Sequence, residues 1–414
     1  MAPEKIKVVI PIGGKGTRLS TLTKDIPKTI YPINGKSSIE RCCEELVQYD
    51  LRDIIFTVSY KSLECKSHIR LIKEKLNLSI EIYEEDYPMG ECGAIWKIKN
   101  YLSDDFIFIN GDIIFSMDFK RLINYHKRLD SYLTLVTHTS EHPEDSDLVS
   151  VPKGSQIEGL LFKERTGDEN QNFYLGNAAI AILKRKLIDK LPKPNNRSKP
   201  TLFNFVVKKS FEQNIRIFSY NTSEYIKDMG TPKRISKVQE DINSNKVKNK
   251  NYIFKQRALF LDRDNTLIVC KKDEYIKTNS NLTFLDDAIL KIAEISKKYN
   301  LVCIVTNQPQ ISMGILNEKE LEKINSKVIN YCLQKGLKID DVTFSPHHPH
   351  GGFDGEKYSL KYDSFFRKPY PGMLLYQAFI RNIDLKNSLF IGDSIVDEEA
   401  AKNAGCAFIN VKNL

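Results

Sequence analysis

The sequence predicts two consecutive α/β domains built on largely parallel sheets, and three observations carry that expectation. The chain has 414 residues, which at a norm of ~150 residues per domain allows two or three domains. A short apolar strand running into a polar loop occurs twice, as KVVIPIGGKGTR from Lys7 and as RALFLDRDNTL from Arg257. After each opening, helical and strand patterns alternate: IERCCEELVQY before DIIFTVSY, and AILKIAEISKKY before NLVCIVTN. Such alternation implies parallel sheets, whose ligands sit at the carboxyl ends of the strands. The two openings differ in chemistry, so they are not a repeat. Between them runs INSNKVKNKNYIFKQR, a polar Asn/Lys stretch without glycine. It reads as a linker, which sets domains at 1–241 and 257–414 with the linker at 242–256.

Composition narrows the class. At 41% hydrophobic and 28% charged residues, the chain has enough apolar material for a core in each domain and is neither a disulfide mini-protein nor a disordered tail. No run approaches the ~18 to 20 apolar residues of a membrane span, and the opening MAPEKIKVVIP reaches Gly13 and Gly14 before a secretory apolar region develops. A cytoplasmic location is therefore expected. Cys42, Cys43, Cys65, Cys92, Cys270, Cys303, Cys332 and Cys406 form no CxxC pair and read as reduced thiols. The net charge of +9 is spread along the chain, which fits phosphorylated small molecules as partners better than nucleic acid, and no membrane partner is expected.

In the first opening, Gly13, Gly14 and Gly16 follow a strand and would let backbone N–H groups close around phosphate oxygens. Arg18 and Lys28, the latter behind Pro27, add cations suited to a triphosphate. The loop has neither the GxxxxGK[ST] pattern nor the dinucleotide spacing. Residue by residue, IPIGGKGTRLSTLTKDIPK resembles the signature of the sugar-phosphate nucleotidyltransferases, and the likeness continues over roughly the first 240 residues. It implies a Rossmann-like, GT-A-like fold in which Gly13, Gly14, Gly16 and Thr17 bind nucleotide, with Arg18 and Lys28 as catalytic cations. YPMGECGAIW resembles the second glycine-rich loop of the family, with Gly90 and Gly93 in place and Glu91 where a small or hydroxyl residue is usual. Asp112, ending FIFINGD, and Asp228, in YIKDMGTP, resemble the two Mg2+-binding carboxylates. Glu164 and Arg165 in FKERTG, and Gly176 and Asn177 in YLGNAAIAIL, resemble the sugar-binding stretches, with Arg165 replacing a usual lysine. The implied chemistry is in-line attack by a sugar 1-phosphate on the α-phosphorus of a nucleoside triphosphate, catalysed by positioning and charge neutralisation.

In the second opening, Asp262 and Asp264 stand one residue apart after an apolar run. That spacing can aim one carboxylate at an electrophile and hold the other nearby as acid and base. Thr306 and Asn307 after IVTN, Lys368 in FRKPYPG, and Asp393 with Asp397 in LFIGDSIVD follow in order. The set resembles the four motifs of the haloacid dehalogenase superfamily. The resemblance makes Asp262 the nucleophile and Asp264 the acid and base. It gives Thr306 and Lys368 to phosphate oxygens, Asn307 and Arg367 to substrate, and Mg2+ to Asp262, Asp264 and Asp393, with Asp397 a weaker candidate. The short stretch between Asp262 and Thr306 leaves no room for a large cap. DRDNTL, TNQPQISMG and SPHHPHGG track the heptose 1,7-bisphosphate and histidinol phosphatase subgroup. That subgroup commonly carries a structural zinc on Cys-x-His and Cys-x-Cys pairs. Here Ser345, His347, Ser364 and Phe366 stand at those positions, so no zinc is expected. The insert GGFDGEKYSLKYD that follows either supports this loop in place of zinc or changes the substrate.

Together the resemblances imply a bifunctional enzyme that dephosphorylates heptose 1,7-bisphosphate and then forms a nucleotide-activated heptose, with GTP favoured. Two alternatives stand beside it. One is a nucleotidyltransferase for mannose 1-phosphate or a CTP-dependent substrate fused to a phosphatase of altered specificity. The other makes one domain a non-catalytic binding or scaffolding module.

Overall fold

The computed structural model describes residues 5–13, 26–59, 61–163, 173–195, 199–270, 275–278 and 282–414. The described chain divides into two compact units. The first holds Met1–Thr137, Ser155–Ile157 and Asn177–Asn251; the second holds His138–Gly154, Glu158–Gly176 and Tyr252–Leu414.

In the first unit the strands are β1 (Lys7–Pro11), β2 (Asp53–Val58), β3 (Ser79–Glu84), β4 (Asp105–Ile109), β5 (Ile113–Ser116) and β6 (Leu133–Thr139). Two short strands that belong to the second unit, β7 (Leu148–Ser150) and β8 (Gly159–Leu161), come in chain order before β9 (Leu175–Lys184), β10 (Ile217–Asn221) and β11 (Tyr225–Asp228). The main sheet runs β10-β6-β9-β4-β1-β2-β3. β1, β2, β3 and β4 are parallel, whereas β9 enters antiparallel to β4, with Ile109 opposite Ile180. β5 and β11 form a separate antiparallel ribbon. β1, β2 and β4 carry runs of Val, Ile and Phe buried from both faces, as a sheet covered on both sides requires, whereas the edge strand β3 exposes Ser79, Glu81 and Glu84. Helices α1 (Ser38–Val47) and α2 (Ser62–Leu76) follow β1 and β2 in chain order. α1 starts where Ser37 accepts a hydrogen bond from Glu40 N, the capping that a serine before an apolar run predicts. Cys42, Cys43 and Leu46 of α1 and Ile69 of α2 face the core with Ile10, Phe56 and Ile107.

The second unit carries β12 (Ala258–Leu261), β13 (Leu301–Asn307), β14 (Asp341–Ser345), β15 (Leu389–Gly392) and β16 (Ala407–Asn410). Their order is β14-β13-β12-β15-β16, with each neighbouring pair parallel. Between β12 and β13 the described residues hold one helix, Asp286–Ser296, so the expected absence of a large cap in that interval agrees with the described chain.

Two features depart from a boundary drawn in sequence. The described residues of 138–154 and 158–176 pack with the second unit: Glu322 accepts hydrogen bonds from Ser150 Oγ and Val151 N. The 242–256 stretch, read as a linker, is largely folded. A helix from Pro232 ends at Asn243, a turn of helix spans Lys246–Asn249, and Asn251 and Tyr252 are buried. Its polar composition misled because Asn251 is buried for its amide: the group donates to Glu45 Oε1, Ser116 Oγ and Tyr49 Oη. Among the described residues no helix is long and apolar enough to cross a membrane.

Candidate functional site

In the first unit the site grows from the carboxyl end of β1. Gly13 follows that strand, and a Cβ there would lie 2.8 Å from Ser59 Cβ. Gly14, Gly16, Thr17 and Arg18 lie outside the described residues, as do Glu164 and Arg165. Lys28 opens a short 3-10 turn, and its Nζ is 2.5 Å from Asp112 Oδ2. Asp112 stands beyond β4 after Gly111, which passes so close to β1 that a Cβ would meet Pro11 O at 2.8 Å. Ile113 pairs with Asp228 across the β5–β11 ribbon, and Met229 N donates to Asp112 O. The two expected metal carboxylates are thereby neighbours in register. Each is already engaged by a cation: Asp228 receives two hydrogen bonds from Arg234 Nη1, at 2.9 and 3.0 Å, and one from Gly230 N. The sequence reading missed Arg234. Its signal was a basic residue in the first turn of the helix from Pro232, the end where the helix dipole disfavours cations.

The second glycine loop needs its glycines. Gly90 has φ +79 with its Cβ position 2.6 Å from Lys199 C, and at Gly93 a Cβ would fall 2.2 Å from Met89 O. Glu91, the unusual residue, accepts a hydrogen bond from Leu202 N at 3.2 Å. Beside this loop lies a shallow, open pocket lined in part by Tyr87, Met89, Gly93, Lys97, Lys193 and Pro200; its two lysines were not singled out in the sequence. Asn177 accepts from Ala179 N, where the backbone turns to φ +58. Its side chain thus shapes the kink in β9. At Gly176 a Cβ would lie 3.2 Å from Ser140 Cβ.

In the second unit, parallel pairing puts the carboxyl ends of β12, β13 and β15 side by side, bringing together the residues that follow them. Lys368 is the centre: its Nζ lies 2.6 Å from Asp262 Oδ1 and 2.6 Å from Asp397 Oδ1. All three side chains are buried. Burial pushes the Asp262 carboxyl above its ordinary range; Lys368 opposes this, while Asp397 and Asp264 reinforce it. Burial alone would lower Lys368, but Asp262 and Asp397 raise it. Burial, with Asp397, also raises Asp393. One oxygen each of Asp262, Asp393 and Asp397 falls within 4.8 Å of the others, the group of three among the described residues suited to a metal ion. Three carboxylates against one ammonium leave an excess of negative charge that a divalent cation fits.

Asp264, expected in the same metal set, is placed elsewhere. Its oxygens accept from Arg263 Nε at 2.8 Å and Nη2 at 3.1 Å, and from Gln308 Nε2 at 3.0 Å. Asp397, the weaker candidate, joins Asp262 and Asp393 in its stead. Arg263 is fully buried and also donates to Asn325 Oδ1 and Gln308 Oε1, while Gln308 donates to Thr306 Oγ1. Arg263 and Gln308 were overlooked because a buried arginine is legible only from its partners. Asn307, expected on substrate, exchanges two 3.0 Å hydrogen bonds with the Lys368 backbone, so it fixes the lysine. Arg367 donates to His347 O at 3.1 Å.

At the four positions where the subgroup carries zinc ligands, the structure shows other chemistry. His347 Nδ1 is 3.2 Å from Ser345 Oγ, and its Nε2 is 2.9 Å from Tyr362 Oη. Ser364 Oγ accepts from Phe366 N. One imidazole with both nitrogens engaged does not fit tetrahedral zinc.

Comparison with known proteins agrees with two sites. Residues 7–245 match the family model described as nucleotidyl transferase, and residues 257–406 match that of polynucleotide kinase 3 phosphatase. The D-glycero-beta-D-manno-heptose-1,7-bisphosphate 7-phosphatase of Rhodopseudomonas palustris is 34% identical over 148 residues, which is 36% of this chain and 79% of that protein. The mannose-1-phosphate guanylyltransferase of Mycobacterium tuberculosis is 25% identical over 244 residues, 58% of this chain and 66% of that protein's length. Among solved structures, HddC from Yersinia pseudotuberculosis is 28% identical with a TM-score of 0.48, covering 57% of this chain and 99% of that one.

Proposed function

We propose, for a chain that belongs to the nucleotidyl transferase family over residues 7–245 and in its C-terminal part to the family of the heptose-1,7-bisphosphate 7-phosphatases, a two-step enzyme of nucleotide-sugar synthesis. Residues 257–414 remove the 7-phosphate of a heptose 1,7-bisphosphate. Residues 1–241 then join the heptose 1-phosphate to a guanylyl group from GTP, releasing pyrophosphate. The observation that carries the first step is the buried Lys368 held between Asp262 and Asp397 at the carboxyl ends of parallel strands. The names of the 7-phosphatase and guanylyltransferase relatives support the substrates. Eight cysteines without a disulfide favour the cytoplasm.

In the phosphatase site Asp262 attacks phosphorus and becomes an aspartyl phosphate, releasing the sugar alcohol. Lys368 neutralises phosphate oxygens beside it, with Thr306 as a further donor. Asp264 gives the leaving oxygen its proton and later takes one from water, after its carboxyl turns from Arg263 and Gln308. Asp262, Asp393 and Asp397 would hold Mg2+, whose charge would offset the repulsion between carboxylate and phosphate. In the other site Asp112 and Asp228 would hold Mg2+, Lys28 and Arg18 would meet the phosphates, and Gly13, Gly14, Gly16, Thr17, Gly90 and Gly93 would cradle the nucleotide. Glu164, Arg165, Gly176 and Asn177 are assigned to the sugar. No covalent intermediate is required there.

The test is release of phosphate and pyrophosphate, with Mg2+, from heptose 1,7-bisphosphate alone and then with each nucleoside triphosphate. Phosphate first, with pyrophosphate appearing on addition of GTP, is the expected result. Pyrophosphate from mannose 1-phosphate without phosphate release from the bisphosphate would replace this reading with the one favoured by the guanylyltransferase relative.

A further inference from the structure

We propose that Tyr362, through His347, is a positioning residue that sets Arg367 for the second anion of a bisphosphate substrate, in place of a structural metal. The inference rests on the phosphatase reading above. Arg367 immediately precedes Lys368, whose ammonium sits on Asp262, and is the guanidinium that the phosphatase reading assigns to substrate. Its direction is set by the hydrogen bond from Nη1 to His347 O. Moving that carbonyl moves the guanidinium, and His347 is held from both ring nitrogens: by Ser345 Oγ, fully buried at the end of β14, and by Tyr362 Oη. The His347 and Tyr362 rings also lie 4.7 Å apart between centroids.

Tyr362 belongs to the insert GGFDGEKYSLKYD, and the insert is anchored at several points. Lys357 N donates to Ser312 O at 2.7 Å. Glu356 accepts from Gly352 N and from Lys361 Nζ, and His348 N donates to Leu360 O. Gly314 approaches Gly355 so closely that a Cβ would lie 2.2 Å from its carbonyl oxygen. The insert is therefore tied both to the loop that follows Asn307 and to the His347 loop. A hydroxyl–imidazole contact on an anchored strap fixes a carbonyl as a metal would, without thiolates.

The experiment compares KM and kcat of wild type, Tyr362→Phe and Ser345→Ala on a sugar bisphosphate and on p-nitrophenyl phosphate, which has no second anion. Zinc is counted by elemental analysis in protein purified without chelator. Expected are a three- to tenfold rise in KM for the bisphosphate with kcat little changed, no change on p-nitrophenyl phosphate, and no stoichiometric zinc. In an Arg367→Ala background, Tyr362→Phe should add nothing, since both act through one contact. Equal changes on both substrates, additivity in the double variant, or stoichiometric zinc whose removal raises KM would each overturn the proposal. A wild-type enzyme that turns over p-nitrophenyl phosphate but neither cleaves nor is inhibited by any sugar bisphosphate overturns it too, while leaving the phosphatase itself standing. If p-nitrophenyl phosphate is not cleaved at all, it is the phosphatase reading that fails.

Discussion

The two candidate sites face the same problem, phosphate beside carboxylate, at different depths. In the first, the Asp112 and Asp228 side chains are 34% and 43% exposed, and each is neutralised by its own cation, Lys28 or Arg234. In the second, Asp262, Lys368 and Asp397 have side-chain exposures of 10%, 3% and 1%, and one ammonium serves two carboxylates. Charges act more strongly away from water. On the proposed reading the buried site holds its nucleophile in place before substrate arrives, with Asp264 alone left to turn, whereas in the open site Lys28 and Arg234 would exchange their carboxylate contacts as nucleotide and metal bind. A site that makes a covalent intermediate needs its nucleophile fixed and dry, while one that brings two anions together needs room for both.

Substitutions sharpen this contrast, beginning with the largest effect. On the proposed mechanism Asp262→Asn removes the nucleophile and should lower phosphate release by on the order of 10⁴-fold or more, with pyrophosphate formation from a sugar 1-phosphate unchanged. Loss of both activities would break the separation of sites. Asp112→Ala should do the converse, lowering pyrophosphate formation by on the order of 10²–10³-fold and leaving p-nitrophenyl phosphate hydrolysis as it was.

Asp397→Asn keeps an acceptor for Lys368 but removes a charge from the three-carboxylate group. The Mg2+ concentration for half-maximal phosphatase activity should rise by about 10–100-fold; an unchanged Mg2+ titration would exclude Asp397 from the metal set. The smallest effect belongs to the fold. Glu45 accepts from Ser116 Oγ, Met117 N, Asn251 Nδ2 and Gln48 Nε2, so Glu45→Gln turns an amide toward donors and should cost about 1–3 kcal/mol. Burial raises the Glu45 carboxyl above 4.5 in spite of these hydrogen bonds. The folded state then binds more protons than the unfolded one, and this residue's contribution to stability falls as pH rises through 4.5, levelling above the folded-state value. The gap between wild type and the glutamine variant, read from denaturant unfolding, should accordingly be wider at pH 4 than at pH 8.

Much of this molecule was legible in its residues, for identifiable reasons. Asp262 and Asp393 follow apolar runs that can only be buried parallel strands, so their place at strand ends follows from local pattern. Gly90 and Gly93, expected in a glycine-rich nucleotide loop, stand where a Cβ would meet backbone atoms, a backbone constraint that residue type records; their contact with nucleotide belongs to the proposal. The sequence by itself determined two α/β units, the order of the acidic motifs and the loss of the thiolates. Tertiary structure alone decided the rest. It chose Asp397 over Asp264 for the three-carboxylate group, since which way a carboxylate turns depends on whether an arginine such as Arg263 is buried within reach. It gave Asn307 to the Lys368 backbone, folded the polar 242–256 stretch around a buried Asn251, and moved residues 138–154 and 158–176 into the second unit. Apart from the Arg263 contact to its neighbour Asp264, these rest on partners far away in sequence, Gln308 for Asp264, Lys368 for Asn307, Glu45 for Asn251 and Glu322 for Ser150, and composition records the donor or acceptor but not the distance that satisfies it.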